Sequence, residues 1–169
     1  MLKYKNKSIF YGGCIALIVI FLDQFSKFLV LEKLFWHDTM VLLKTKLCGV
    51  NLFLTYNTGA AFGFLHNSNG WQNYLFLSIA LIVAMFIIYL LSNNKINNSI
   101  EKIALLLILG GSIGNLIDRI IHGYVIDFID VYFKNFHWYT FNIADSAICI
   151  AMGLLLFKWV HPSHSIAQH

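Results

Sequence analysis

Long apolar runs alternate with short polar stretches along this chain. The runs extend from about Ser8 to Leu31, from Trp71 to Leu91, from Ile103 to Ile121 and from Asn142 to Val160. Each is about as long as a helix needs to be to cross a hydrocarbon core of about 30 Å. The first is too long for the apolar region of a signal peptide and has no Ala-x-Ala site, so it reads as an uncleaved helix. Trp71 and Tyr74 open the second, where interfacial aromatics belong. Residues 33–70 are mixed. Val50 to Tyr56 carries β-favouring residues in partial alternation, which predicts a strand. Asn57-Thr58-Gly59-Ala60-Ala61-Phe62-Gly63 follows with turn chemistry and small side chains. Residues 122–140 read as an aromatic-rich interfacial loop, residues 92–99 as a polar turn bearing Lys95, and the stretch from His161 as a mobile tail. The fold class predicted is an α-helical membrane protein. It has four transmembrane helices and a small β-rich extramembrane element, about residues 33–70, on the outer face, all in one domain over residues 1–169.

Composition strengthens this reading. Of 169 residues, 59% are hydrophobic and 12% charged, so polar side chains are too few to cover a water-facing surface. The net charge of +4 comes from scattered Lys residues, which argues against a nucleic-acid partner. Lys3, Lys5, Lys7 and Lys95 lie in short polar segments, which favours both termini in the cytoplasm. The three cysteines form no CxxC, and the tail histidines His161, His164 and His169 lack ligand spacing. No metal or other cofactor is expected.

The polar exceptions inside the apolar runs are informative because of their depth. At about 1.5 Å per residue, Asp23 lies roughly 22 Å beyond Ser8 and Asp118 roughly 26 Å beyond Glu101. The fourth helix runs the other way, so Asp145 is only about 6 Å past Phe141. These three acids share one level near the outer face, and Asp127 sits in the loop on that side. Each has a bland reading. Asp23 and Lys27, four residues apart, form a simple ion pair. Asp118 and Arg119 form a local charge pair. Asn142 and Asp145 make a helix cap. Gly110 and Gly114 serve close helix packing, and Gly111, Asn115 and Asp118 share one stripe. Convergence from three helices and a loop is harder to explain as insertion chemistry.

Two close carboxyls cannot both ionise easily, so they hold an acid and a base at one place. That suits peptide hydrolysis by an activated water. A proton or cation transporter is the main alternative, because intramembrane acids also build relays. A relay, however, needs polar residues along the whole depth, and here they gather at one end. A lipid-embedded scaffold would need no acids at all. Asp127 and Asp130 are three residues apart, and spacing alone does not choose between them.

Five blocks carry a resemblance. They are Asp23 with Lys27, Asn57-Thr58-Gly59-Ala60-Ala61-Phe62, the stretch GSIGNLIDR from Gly111 to Arg119, Gly123-Tyr124-Val125-Ile126-Asp127-Phe128, and Phe141-Asn142-Ile143-Ala144-Asp145-Ser146. In this order, with four apolar segments correctly placed, they resemble the lipoprotein signal peptidase family, signal peptidase II. The resemblance implies an aspartic endopeptidase of the bacterial inner membrane. It would cut a diacylglyceryl-modified prolipoprotein just before the lipidated Cys at the outer, periplasmic surface. It implies Asp127 and Asp145 as the catalytic dyad. Asp23, Lys27, Asn57, Gly59, Asn115, Asp118, Arg119 and Asn142 would orient the dyad or hold the substrate. The partners expected are prolipoproteins and the lipid bilayer, with the protein acting as a monomer.

Overall fold

In the computed structural model, the structure describes residues 2–59, 70–93, 96 and 98–161. The helices are α1 (Leu2–Lys33), α2 (Trp71–Ser92), α3 (Ser99–His122) and α4 (Ile143–Val160). The strands are β1 (Thr39–Lys44), β2 (Cys48–Asn57), β3 (Val125–Phe133) and β4 (Phe136–His137), and they form one antiparallel sheet in the order β1-β2-β3-β4. The Ala60–Gly63 half of the expected turn, Lys95 of the polar turn, and the tail beyond His161 lie outside the described residues.

All four helices are long and apolar enough to cross a membrane. Their large apolar side chains point outward, among them Leu17, Phe21, Ile82, Phe86, Ile150 and Phe157. Such a surface is stable against lipid, and a helix satisfies its own backbone there. α3 starts four residues earlier than the apolar run suggests, because Asn98 caps it by accepting from the N–H groups of Ile100 and Glu101 at 2.8 and 3.2 Å. It ends at Gly123, whose φ of 79° is open to glycine at little cost.

α3 is the central helix and packs on each of the others. Its glycines make that approach possible. A Cβ at Gly110 would lie 2.8 Å from Val19 Cβ on α1, and one at Gly111 would lie 2.5 Å from the Ala144 carbonyl oxygen on α4.

Residues 122–140 differ from the sequence expectation. They are not a loop: Val125–Phe133 is a strand, β3, paired along β2 from Cys48↔Phe133 to Asn57↔Val125. The β-rich element therefore extends well beyond residues 33–70. β-branched and aromatic residues fit both an interfacial loop and a strand. The decision is made by β2, whose second edge needs a partner for its hydrogen bonds. Val30 of α1 and Leu34 just beyond it pack with Leu54, Ile126 and Phe128 from the sheet. This core joins the sheet to one end of the bundle, where α1 and α3 end and α2 and α4 begin.

Candidate active site

The polar residues of three helices and two strands meet where the sheet joins the bundle. From α1, Asp23 and Lys27 are fully buried. Asp23 Oδ1 accepts from the Ala144 N–H at 2.9 Å and so holds the first turn of α4. Lys27 Nζ donates to Asp23 Oδ2 at 2.7 Å and to Asn115 Oδ1 at 3.2 Å, and pairs with Asp118 Oδ2 at 2.7 Å. One ammonium thus serves two buried carboxylates, the arrangement that burial of such charges requires. Gln24 completes the group. Its Nε2 donates to Asp118 Oδ1 at 2.9 Å, to the Gly114 carbonyl at 3.1 Å and to Asp23 Oδ2 at 3.2 Å. Sequence reasoning did not place Gln24 in the site. Its signal was a polar amide beside Asp23 in an apolar helix.

The expected Asp118–Arg119 pair is replaced by another arrangement. Adjacent residues on a helix point about 100° apart. Asp118 turns to Lys27 and Gln24, and its Oδ2 also accepts from the Ile126 N–H at 3.0 Å, which fixes the start of β3. Arg119 turns the other way. Its Nη2 donates to the Gly59 carbonyl at 3.1 Å, and its guanidinium lies 5.4 Å from the centre of the Phe76 ring. Gly59 therefore contributes its backbone, and its own N–H donates to Asn57 Oδ1 at 3.0 Å.

Asn142 lies between the two candidate aspartates and is fully buried. As the cap of α4, its Oδ1 accepts from the Asp145 N–H at 2.9 Å, while its own N–H donates to Asp145 Oδ2 at 3.3 Å. Its Nδ2 donates to Asp127 Oδ1 at 2.8 Å and to Asn115 Oδ1 at 3.0 Å. Asn115 Nδ2 in turn donates to Asp145 Oδ1 at 2.8 Å, and Asn57 Nδ2 donates to Asp127 Oδ2 at 3.0 Å. Every carboxyl oxygen of the pair thus has a fixed donor, so both carboxyls are oriented before any ligand arrives.

Asp127 and Asp145 line one pocket of about 590 Å³ together with Asn57, Asn115 and Arg119. Its remaining wall is largely apolar and includes Trp138, Phe141, Ile148 and Ile150. Burial pushes the Asp127 carboxyl up to about 7, and the charge of Asp145 adds to the rise. The amides of Asn57 and Asn142 and the charge of Lys27 oppose it only in part. Asp127 can therefore hold a proton near neutral pH. Asp130 is placed elsewhere: its carboxylate takes Asn51 Nδ2 at 2.8 Å and His137 Nδ1 at 2.8 Å.

The geometry has counterparts among known proteins. A family model described as signal peptidase (SPase) II matches residues 15–161. A protein of Haemophilus ducreyi named "Lipoprotein signal peptidase" is 44% identical over 144 residues, covering 85% of this chain and 87% of that one. Proteins of the same name from Alteromonas mediterranea and Escherichia fergusonii are 41% and 37% identical. They cover 84% and 91% of this chain and are themselves covered over 76% and 92% of their lengths. A solved structure described as a bacterial membrane enzyme at 2.3 Å resolution superposes with a TM-score of 0.81 at 27% identity, over 95% of this chain and 94% of that one.

Proposed function

The chain belongs to the signal peptidase II family, and from that premise we propose that Asp127 and Asp145 are its catalytic dyad. The protein is an aspartic-type peptidase, a multi-pass protein of the bacterial inner membrane that removes signal peptides from prolipoproteins. The observation that carries the assignment of the dyad is Asn142, one buried residue whose side chain donates to the Asp127 carboxyl and whose backbone N–H donates to the Asp145 carboxyl, at the polar end of an apolar pocket.

The pair shares one proton. Its ionised member takes a proton from a water, and the water oxygen adds to the scissile carbonyl carbon. Its protonated member hydrogen-bonds the carbonyl oxygen and then passes its proton to the leaving nitrogen as the C–N bond breaks. No covalent enzyme intermediate forms. Asp23, Lys27, Gln24 and Asp118 hold the two elements that carry the dyad. Asn57, Asn115 and Asn142 orient its oxygens, and Arg119, which lines the same pocket, is tied to the Gly59 backbone.

The substrate is a prolipoprotein with diacylglycerol on its Cys, cut just before that Cys by a monomeric enzyme whose sheet faces the periplasm. The apolar wall supports this reading: acyl chains contribute about 0.8 kcal/mol per buried methylene, and the bilayer delivers them laterally to that level. The test compares one prolipoprotein with and without diacylglycerol, in the same detergent and at the same concentration, with the product identified by mass. Efficient release of a fragment beginning at the lipidated Cys is expected only from the lipidated form. Equal rates for the two would refute lipid selection.

A further inference from the structure

Asn51, Asp130 and His137 form a second buried polar group that the dyad does not use. Asn51 is 7% exposed. Its Nδ2 is committed to Asp130 Oδ2 at 2.8 Å, while its Oδ1 has no hydrogen-bond partner among the described residues. Asp130 is itself held by His137, whose Nδ1 lies 2.8 and 3.0 Å from the two carboxylate oxygens. A buried carbonyl oxygen left without a donor is unfavourable, and a native structure rarely keeps one without a use.

This oxygen belongs to a residue that lines a pocket of about 430 Å³ with Thr39, Phe53, Asp130, His137 and Thr140. Phe53 and Thr140 also line an adjoining hollow of about 270 Å³ that contains Asn57 and Asp127. The two hollows share Phe53, Tyr139 and Thr140 as walls, so Asn51 lines the neighbour of the hollow that holds Asp127. In a regular strand, Asp127 and Asp130 would face opposite sides. Here the β2–β3 register shifts between Leu52 and Thr55, and the N–H groups of Phe128 and Ile129 both donate to the Phe141 carbonyl. That irregularity is of the kind that re-aims side chains, and the two acids line adjoining hollows that together make one groove.

We infer that this groove is a subsite for the first residues of the mature lipoprotein beyond the cut, with Asn51 Oδ1 accepting a main-chain N–H from them. The inference rests on the dyad reading above. The lipidated Cys keeps its acyl chains in the bilayer, but the polypeptide that follows it must leave toward water. The sheet lies at the end of the bundle, outside the helical spans, on that exit route. An extended chain advances about 3.3 Å per residue, so the three residues from Asp127 to Asp130 span about 10 Å. Asn51, paired across the sheet with Asp130, meets the peptide about three residues past the scissile bond. Asp130 and His137 are positioning residues: they hold the Asn51 amide nitrogen and so fix this side chain at the wall of the groove.

The experiment uses the full-length protein and two diacylated substrates, one with five residues beyond the lipidated Cys and one ending at that Cys as its amide. For the parent enzyme the longer substrate should have a KM about fivefold lower at similar kcat, the value of one added hydrogen bond. In Asn51→Ala the ratio of the two KM values should fall to about one. A second series needs no variant to fold. Replacing single peptide bonds of the long substrate by esters removes one N–H at a time, and one position near the third mature residue should raise the parent's KM. Equal KM values for long and short substrates, or an ester series with no sensitive position, would overturn the subsite. Cleavage of the short substrate by the parent and not by Asp127→Asn would leave the dyad standing in that event. Failure of that control would strike the dyad reading instead.

Discussion

Asp127 is where residue-scale chemistry is most exposed to measurement. Its carboxyl is pushed up to about 7, first by burial and next by the charge of Asp145. Below that pH Asp127 keeps its proton, and above it this carboxyl is charged and the acid is lost. The expected result is that kcat/KM falls as pH rises through about 7, approaching one decade per unit. A rate that stays level to pH 9 would mean that the proton is not needed. Asp145 stood out in the sequence because a carboxylate in apolar surroundings must be paired or used, whereas Asp127 was separated from Asp130 only by the block that carries the family resemblance. The partner of Asp118 was not legible. Helical periodicity gives the face on which a residue lies, but not which neighbouring helix covers that face. Lys27 on α1 reaches Asp118 across the bundle, while Arg119, its neighbour in sequence, turns away.

At the scale of elements, the start of α4 and the dyad are one construction. The side chain that caps the helix also donates to Asp127, so folding α4 and orienting the carboxyls are the same event. Replacing Asn142 separates the two roles. Asn142→Ala should lower stability by about 0.5–2 kcal/mol through the lost cap and should lose cleavage. Asn142→Ser keeps a capping oxygen, so thermal unfolding should recover toward the parent. Its side chain is too short to reach Asp127, so cleavage should stay low. Recovery of both together would show that Asn142 acts through helix stability alone. The four helices were readable from length and hydropathy, and β2 from its alternation. β3 was hidden because Tyr124, Val125, Ile126, Phe128 and Ile129 suit an interfacial loop as well as a strand. Only its pairing with β2 distinguishes them, and pairing is not local in sequence.

Among the described residues, the buried charged side chains gather at one end of the bundle. Below Asp23 and Asp118 the bundle core is apolar, with Ala16, Ala84, Ile87, Leu106 and Leu109 in contact. That is the wrong shape for a transmembrane relay and the right one for chemistry at one membrane surface. If the sheet faces the periplasm, an impermeant thiol reagent applied to intact cells should label Cys48, which is exposed at the start of β2. In a Cys48→Ser background it should miss a cysteine placed at Asn93, at the opposite end of α2. The reverse pattern would invert the orientation. The claim on which the rest depends is that Asp127 and Asp145 act as a pair on the scissile bond. The most direct measurement is turnover of a diacylated prolipoprotein by purified Asp127→Asn and Asp145→Asn proteins, each checked for folding, with Asp130→Asn beside them. The account predicts no cleavage by either dyad variant and measurable cleavage by Asp130→Asn, since Asn keeps the shape of the carboxyl but cannot exchange its proton. Substantial turnover by either dyad variant, or complete loss in Asp130→Asn alone, would contradict it.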